Sequence, residues 1–464
     1  MAHSPSFRGL RKGFIGLGAA AVLCSAVPAR ADAPVIIRDT EIEKDIKGWV
    51  EPVMRAGGLD PNNVHIIIVE SPEVNSFVAG GPNIFIYTGL IEKTDNASEI
   101  IGVLAHEMGH IRGGHLIRMQ GAMKDASYES LLGTILGIGA AIASHNGGAA
   151  GAISIGSQTS AMGSLLAFSR IQEASADQSA LTTLQEACIS PKGLVSFMKK
   201  IGADEPLLYS QQDAWGRTHP LTQERVDAMQ AGYDRSPCKD KPLSAETDDQ
   251  YRRMMAKLKA FIAPERVAWD FSDSDHSVPA AYARAIAAYR QNKVHDALRD
   301  IDALLEREPK NPYFLELKGQ MLVDFGHVEE ALPAYRQSID ILHNAPLIRM
   351  AYANAMIETS DRDKGRLDEA IKQLETAQRD EQRSGYIDHL LATAWGRKGN
   401  ESMAKLYLAE EALLGGQKKY AKEQAQAALH GLKAGTQPYL RAQDIISFVD
   451  QNKKDGSKDG EKKG

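Results

Sequence analysis

Residues 96–119 read NASEIIGVLAHEMGHIRGGHLIRM, and their apolar side chains recur at helical spacing. Asn96 stands before the pattern and Glu99 follows it by three residues, an arrangement that predicts a capping box at the start of a helix. We therefore predict one helix from Asn96 to about Met119. The pattern His-Glu-x-x-His falls in the middle of this helix.

His106, Glu107 and His110 have the spacing of a zinc site. Residues four positions apart in a helix lie one turn apart on the same face, so two imidazole nitrogens can bind one Zn²⁺. The carboxylate between them points just off that face, where it can accept a proton from water without binding the metal. The alternative is a helix with surface histidines, because this short pattern also occurs by chance.

Residues farther along the chain could complete the site, because catalytic zinc takes three protein ligands and a water. Glu173 lies on a predicted helix in the segment EASAD and is a candidate third ligand. Asp177, one helical turn later, could accept a hydrogen bond from the second nitrogen of a ligating histidine. His219 in the segment RTHP, or Arg225 after it, could stabilise an oxyanion.

His115 is a rival for the third ligand. In the zinc pattern HExxHxxGxxH, the last histidine falls at the position that is Leu116 here. Gly113 fits this pattern, but His115 comes one position too early and is well round the helix from His110. We therefore expect His115 to have a structural role or to contact a ligand, rather than to bind the metal.

Residues 35–240 combine helix and strand signals, which predicts an α+β domain around the site. Glu41–Ala56 reads as a helix, and the β-branched run Val64–Val69 reads as a strand. A second strand is predicted over Asn83–Thr88, entered through the turn Gly80-Gly81-Pro82. The predicted fold class of the whole chain is α+β, mostly α.

Residues 245–430 read as one helix after another and contain an internal repeat. Alanine recurs at separations of 34, 39 and 34 residues, and a turn residue lies five positions before each alanine. A helix–turn–helix unit of about 34 residues is typical of tetratricopeptide repeats, which stack into a curved solenoid that binds proteins. A generic helical bundle would not keep this register. The alanines are Ala297, Ala331, Ala370 and Ala404, and the turn residues are Asn292, Gly326, Gly365 and Gly399.

The longer spacing of 39 residues predicts an insertion near Glu358–Lys364. Gly415–Leu432 could be a fifth, atypical or capping helix pair, so an all-α repeat domain is expected over 245–432. Residues 433–464 are expected to hold a C-terminal helix and, from 451 onwards, a disordered tail without apolar residues.

The first 31 residues have the features of a cleaved signal peptide: basic residues, an apolar run and a small-x-small site at Ala29-Arg30-Ala31. Their removal takes away four Lys/Arg and no acidic residue, which changes the formal charge from −6 to −10 and disfavours nucleic acid as the main partner.

Two cysteines, Cys188 and Cys238, remain after the signal peptide is removed. An oxidising compartment favours one disulfide between them, with two separate buried thiols as the alternative.

Residues 131–169 contain no Asp, Glu, Lys or Arg and are rich in Gly and Ala. They could form a helical hairpin packed on the catalytic core or a mobile lid over the site, since glycine makes such segments adaptable. Membrane contact is the third alternative, although the apolar start is too short to span a bilayer. We expect at most peripheral membrane contact.

The order HExxH, then ExxxD, then His-Pro with an arginine after it resembles the gluzincin peptidases of the HtpX type. The resemblance implies a zincin-type metallopeptidase domain with one Zn²⁺ per chain. It implies that the ligands are His106, His110 and Glu173 and that Glu107 is the base. It also implies that His219 lies at the metal, as a regulatory ligand or an oxyanion partner.

The resemblance further implies an edge strand beside the cleft, matched here by Asn75-Ser76-Phe77 and the strand Asn83–Thr88, to which a substrate peptide could add. The resemblance to exported members that carry C-terminal repeats implies that the chain acts in the periplasm on misfolded or stalled outer-membrane proteins. It also implies that the repeats dock on the barrel-assembly machinery. Residues 32–244 are thus expected to be a zinc metalloendopeptidase domain. The alternatives are a chaperone or adaptor with a latent protease site, and a peptidase anchored in the membrane through 131–169.

Overall fold

The structure is a computed structural model that describes residues 35–116, 170–202 and 214–461. The expected signal peptide, 1–31, and the Gly/Ala-rich segment, 131–169, lie outside these ranges and stay predictions. Within the described ranges, helices surround one small sheet, which confirms the predicted α+β, mostly α, class. No helix in these ranges has both the length and the apolar character needed to cross a membrane.

One four-stranded sheet forms the β part of the first domain, in the order β1-β2-β4-β3. β2 and β4 run parallel, and the other two pairs are antiparallel. The first predicted strand is observed one residue later, and the second is confirmed except for its last residue. The strands are β1 (Val35–Ile37), β2 (His65–Glu70), β3 (Ser76–Ala79) and β4 (Asn83–Tyr87).

The edge strand beside the zinc motif is β3, which corrects the sequence-based match of Asn83–Thr88 to that role. Among the described residues, β3 pairs with β4 alone, and β4 lies inside the sheet between β2 and β3. The physical reason is the turn at Gly80 and Gly81, whose φ angles of 65° and 104° suit glycine. This turn lets the Asn-x-Phe segment form a strand of its own.

Helices pack around this sheet and lead into the repeats. The predicted helix Glu41–Ala56 is confirmed as α1, which Asp39 caps by accepting a hydrogen bond from the Ile42 N–H at 2.9 Å. The helices are α1 (Thr40–Ala56), α2 (Thr88–Lys93), α3 (Ala97–Arg112), α4 (Arg170–Glu186), α5 (Lys192–Gly202), α6 (Ala214–Thr218), α7 (Gln223–Arg235), α8 (Ala245–Ile262) and α9 (Val267–Asp270).

α3 carries the zinc motif but begins without the predicted capping box. Asn96 occupies the N-cap position, yet the backbone N–H that donates to the Glu99 carboxylate is that of Asp95, at 2.9 Å, rather than that of Asn96. The helix also ends at Arg112, earlier than predicted. Gly114 has a φ of 61° just beyond this point, a conformation that commonly terminates a helix.

Two glycines allow α3 to pack closely against its neighbours. A Cβ atom on Gly109 would lie 2.6 Å from the carbonyl oxygen of Ala176 on α4. A Cβ atom on Gly102 would lie 2.5 Å from the backbone nitrogen of Leu194 on α5. These contacts bring the EASAD segment of α4 beside the histidines of α3.

The repeat region forms successive helix pairs, as predicted. Ala297, Ala331 and Ala370 are fully buried between the helices, whereas Ala404 is half-buried. The helices are α10 (Val278–Arg290), α11 (Val294–Arg307), α12 (Pro312–Asp324), α13 (Val328–Ile341), α14 (Pro346–Glu358), α15 (Gly365–Ala377), α16 (Gly385–Arg397), α17 (Glu401–Leu414), α18 (Lys418–Leu429) and α19 (Gln437–Glu461).

Three of the four predicted turn residues end the first helix of a pair. Asn292, Gly326 and Gly399 have positive φ angles of 57°, 84° and 83°. Gly365 instead begins α15, because the insertion, residues 359–364, comes before it. The insertion thus absorbs the extra residues of the longer spacing without disturbing the helices.

The end of the array differs from what we expected. Gly415–Leu432 holds a single helix, α18, which packs between α17 and α19. α19 continues to Glu461, through residues 451–461 that we expected to be disordered. A lack of apolar residues removes tertiary burial, but it does not remove the local hydrogen bonds of a helix, for which Lys and Gln are good formers.

The predicted disulfide between Cys188 and Cys238 is confirmed, with their Cα atoms 5.4 Å apart. It joins the segment after α4 to the segment after α7, across a sequence separation of 50. The alternative of two separate thiols is therefore wrong. The bridge connects the helix that carries Glu173 to the end of the helix that carries Arg225.

Candidate metal centre

Four buried side chains converge at one point: His106 and His110 from α3, Glu173 from α4, and His219, which follows α6. One nitrogen or oxygen atom of each lies within 4.8 Å of those of the others. His106 Nε2 lies 3.1 Å from His110 Nε2 and 3.4 Å from Glu173 Oε2. The structure thus brings together the three ligands predicted from the sequence and places His219 beside them.

These separations fit a tetrahedral zinc ion. Ligand atoms about 2.0–2.1 Å from the metal at tetrahedral corners lie about 3.3 Å apart. His110 Nε2 is 3.5 Å from Glu173 Oε1, and His219 Nδ1 is 3.2 Å from the same oxygen. Imidazole nitrogens and a carboxylate oxygen are donors that zinc accepts. The residues present therefore fit the metal that the family resemblance implies.

The electrostatics of the cluster keep two ligand groups free of protons. Burial lowers the pKa of His110, and the neighbouring imidazoles of His106 and His219 lower it further. Burial alone would raise the pKa of Glu173, but those two histidines hold it well below its usual range. Burial opposes protonation of His106 too, yet Asp177 and Glu173 raise its pKa to about 10, so metal binding there must displace a proton.

Asp177 and Arg225 hold the ligands from outside the cluster. Asp177 Oδ1 lies 2.9 Å from His106 Nδ1, which orients the ring with Nε2 toward the other ligands. Arg225 donates from Nε to Asp177 Oδ2 at 2.7 Å, and its Nη2 lies 3.0 Å from Glu173 Oε2. The guanidinium is therefore engaged by carboxylates. These contacts favour a positioning role for Arg225 over the oxyanion role that we considered.

His115 contacts a ligand and lies outside the converging cluster, in line with the expectation for it. Its Nδ1 lies 2.9 Å from Nδ1 of His110, and its side chain is buried. The His110 ring is therefore oriented by a neighbouring histidine, as the His106 ring is by Asp177.

Trp215 on α6 fixes the position of His219. The indole is fully buried and stacks on the His219 ring, with ring centroids 4.8 Å apart and an interplanar angle of 25°. The backbone N–H of Trp215 donates to the Val74 carbonyl at 2.8 Å, just before the edge strand β3. α6 is thereby held against the edge of the sheet.

The carboxylate of Glu107 lies between the metal cluster and β3. Its Oε1 accepts a hydrogen bond from the Ser76 hydroxyl at 2.6 Å. Its Oε2 is buried and has no hydrogen-bond partner within the part of the chain that the structure describes. His219 Nε2 lies 3.6 Å from Oε1 and 3.2 Å from the Ser76 carbonyl oxygen.

Sequence reasoning did not single out the side chains of Ser76 and Trp215. Ser76 occupies the x position of the Asn-x-Phe segment, Asn75-Ser76-Phe77. The sequence pattern therefore drew attention to the segment but assigned no role to the serine side chain. Trp215 lies four residues before His219 in the sequence. In a helix, side chains at this separation lie one turn apart and can contact each other. That spacing was the available signal for it.

Comparison with known proteins agrees with this arrangement. Residues 41–232 match Peptidase family M48, and residues 282–346 match a tetratricopeptide repeat. The first match contains every residue of the metal cluster. The second begins within α10 and ends at the start of α14.

The chain is 25% identical over 301 residues to the beta-barrel assembly-enhancing protease of Escherichia coli strain K12, covering 63% of this chain and 60% of that protein. A protein of the same name from Yersinia pestis is 27% identical over 307 residues, covering 63% and 61%. Metalloprotease LoiP of Escherichia coli is 34% identical over 165 residues, covering 35% and 60%. The chain thus spans about 60% of the length of these relatives. Residues 41–232 are a Peptidase family M48 domain, and tetratricopeptide repeats follow it in the chain.

Proposed function

We propose that the chain is a zinc-dependent metalloendopeptidase. The observation that carries this proposal is the buried cluster of His106, His110 and Glu173 inside the M48 domain, with the Glu107 carboxylate beside it. Glu107 Oε2, which has no hydrogen-bond partner among the described residues, is a buried acceptor at the place where a general base must receive a proton.

In this proposal, His106, His110 and Glu173 hold the zinc ion, which when bound polarises the scissile carbonyl and lowers the pKa of water. Glu107 takes a proton from the attacking water and delivers it to the leaving amine. Asp177 keeps the His106 ring oriented through its contact with Nδ1. These roles follow from the position of each side chain in the cluster.

His219 supports a second candidate, a protease site that is closed at rest. Its Nδ1 lies 3.2 Å from Glu173 Oε1, where a fourth zinc ligand would lie, and its Nε2 lies 3.2 Å from a carbonyl oxygen of the edge strand. A chaperone or adaptor that acts mainly through the repeats, with a latent protease site, is therefore the alternative function. His219 would serve as an oxyanion partner only after moving away from Glu173.

The proposed substrates are misfolded or stalled outer-membrane proteins, which expose extended segments. The edge strand β3 could pair with such a segment as an additional strand. The repeats are proposed to dock on the barrel-assembly machinery. The similarity to two beta-barrel assembly-enhancing proteases supports both assignments.

We place this activity in the periplasm, after cleavage of a signal peptide over residues 1–31. The signal features of that segment and the disulfide support an oxidising compartment. The proposed domains are the metallopeptidase domain, 32–244, the repeat domain, 245–432, and a C-terminal segment, 433–464.

Degradation of casein and of an unfolded β-barrel protein by the purified chain tests the proposal, with zinc counted by elemental analysis. Glu107→Gln keeps the size of the side chain and removes its basicity. We expect cleavage to fall by at least about a hundredfold while zinc stays at one per chain. Zinc without cleavage by either form would favour the latent alternative, and His219→Ala should then restore cleavage. A chain without zinc would contradict the proposal.

A further inference from the structure

We propose that Ser76 is a positioning residue for the general base: its hydroxyl holds Glu107 Oε1 and thereby assigns proton transfer to Oε2. This inference rests on the proposed peptidase function. The hydroxyl is 2.6 Å from Oε1, and both side chains are completely buried. The Ser76 hydroxyl contacts the carboxylate of the base, so Ser76 acts through Glu107.

The direction of this hydrogen bond is set by Trp215. The indole Nε1–H lies 3.1 Å from the Ser76 oxygen, and an indole nitrogen can donate but cannot accept. Ser76 must therefore accept from Trp215, and its own proton is available for Glu107. Trp215 thus donates to Ser76, and Ser76 donates to Glu107. Because the last acceptor is a carboxylate, the hydrogen bond from Ser76 is a strong one.

The two oxygens of Glu107 consequently differ. Oε1 already accepts a hydrogen bond, whereas Oε2 is buried without a partner among the described residues. In the reaction, an O–H bond of water breaks and its proton goes to Oε2. The electron pair stays on the water oxygen, which forms a bond to the carbonyl carbon. The proton on Oε2 then passes to the leaving nitrogen as the C–N bond breaks.

Ser76 also belongs to the edge strand on which an extended substrate could pair. Its carbonyl oxygen is the one that His219 Nε2 approaches at 3.2 Å. One residue therefore connects the backbone of the strand to the orientation of the base.

Ser76→Ala tests this assignment, because the smaller side chain fits the same space. We expect kcat to fall about tenfold with KM changed by less than about twofold, since only the orientation of the base is affected. Trp215→Phe keeps an aromatic ring against His219 but removes the N–H, and should lower kcat less. Adding Trp215→Phe to Ser76→Ala should lower kcat little further if both act through one hydroxyl.

Ser196→Ala is the matched control. The Ser196 hydroxyl donates to Glu99 Oε1 at 2.5 Å, so it makes the same kind of contact to the same helix, α3, away from the metal cluster. We expect this variant to lower the melting temperature and to leave kcat unchanged. Equal effects of Ser76→Ala and Ser196→Ala on kcat would overturn the positioning role.

Thermal unfolding supplies a measurement that does not depend on activity. Ser76→Ala should lower Tm by about 2 °C in the wild-type background and clearly less in a Glu107→Ala background, because the contact is then already lost. Equal Tm shifts in both backgrounds would overturn the contact. If neither the wild-type chain nor His219→Ala cleaves a substrate, the peptidase proposal fails, and this cycle still decides whether Ser76 holds Glu107.

Discussion

At the scale of single residues, each imidazole of α3 is oriented by a second side chain. Asp177 lies 2.9 Å from His106 Nδ1, and Arg225 in turn holds the Asp177 carboxylate at 2.7 and 2.9 Å. Burial alone would raise the pKa of Asp177, but the His106 and Arg225 contacts lower it, so the carboxylate is ionised at neutral pH. A ring held by a charged acceptor is a better metal ligand.

We therefore expect Asp177→Asn to weaken zinc binding by about 10- to 100-fold, because the amide is uncharged and a weaker acceptor. Competition with a chromogenic chelator measures this affinity directly. Asp227→Asn on α7 is a control, since Asp227 is exposed and contacts Gln223 rather than the centre. Equal zinc affinity of Asp177→Asn and wild type would show that the contact does not support the metal.

The sequence was sufficient for residues whose geometry is local. His106, Glu107 and His110 could be predicted because four residues make one helical turn, and no tertiary information is needed. The bond from Ser76 to Glu107 spans 31 residues and depends on where the edge strand lies. The sequence alone does not give that position, so the role of Ser76 could be read only from the structure.

At the scale of elements, the centre depends on how closely α4 approaches α3. The approach is set at Gly109, where a Cβ atom would lie 2.6 Å from the Ala176 carbonyl oxygen and 2.8 Å from its Cα. Glu173 and Asp177 are carried by the same helix as Ala176. Any increase in the distance between the helices therefore moves both carboxylates away from the histidines.

Gly109→Ala should push α4 away from α3 and weaken zinc binding by at least about tenfold, with a loss of about 1–3 kcal/mol in the free energy of unfolding. Chelator competition and thermal unfolding measure the two effects. Gly48→Ala is the matched control, because Gly48 is exposed on α1 and an added Cβ atom would meet nothing within 4 Å. This control should stabilise the chain slightly, since alanine favours helix.

Helices were predicted well where one sequence pattern repeats along the chain. The order of the strands was predicted less well, because it depends on which strands pair with each other. The alanine spacings of 34 and 39 residues predicted the helix pairs, since the buried Ala297, Ala331 and Ala370 recur where the helices pack. The edge strand was assigned incorrectly because strand order depends on pairing, and Asn83–Tyr87 and Ser76–Ala79 carry similar strand signals.

At the scale of the whole molecule, buried charges join the peptidase domain to the repeats. Lys257 on α8 lies 2.7 Å from Asp39 and 3.1 Å from Glu41, which also accepts a hydrogen bond from the Tyr282 hydroxyl of α10 at 2.9 Å. Acidic groups outnumber the buried lysine here. The titratable groups around this contact are Asp39, Glu41, Asp45, Lys257, Tyr282, Tyr313 and Glu316.

Three of these carboxyl groups lack full compensation for burial, and the first is Glu41, whose pKa is raised by burial in spite of Lys257. Burial, together with the nearby charge of Glu41, raises the pKa of Asp45 to about 7. Burial raises the pKa of Glu316 to about 8 in spite of Lys257, and its Oε2 has no hydrogen-bond partner in the ranges described. The folded chain therefore keeps protons on these groups at a pH where the unfolded chain has released them.

This difference predicts how stability changes with pH. Between the ordinary carboxyl range, about pH 4, and the raised pKa values of about 7 and 8, the folded chain binds more protons than the unfolded chain. The contribution of these groups to the free energy of unfolding must then fall as pH rises through this window, by at most about 1.4 kcal/mol per pH unit for each carboxyl, and must level off above it. Asp45→Asn and Glu316→Gln remove the titrating groups and should each make the fall shallower than in wild type. Glu51→Gln, on a half-exposed part of α1, should leave the wild-type slope unchanged. Melting curves from pH 5 to about pH 8.5 measure these slopes, and parallel curves for all four proteins would show that the contact between the domains does not take up protons.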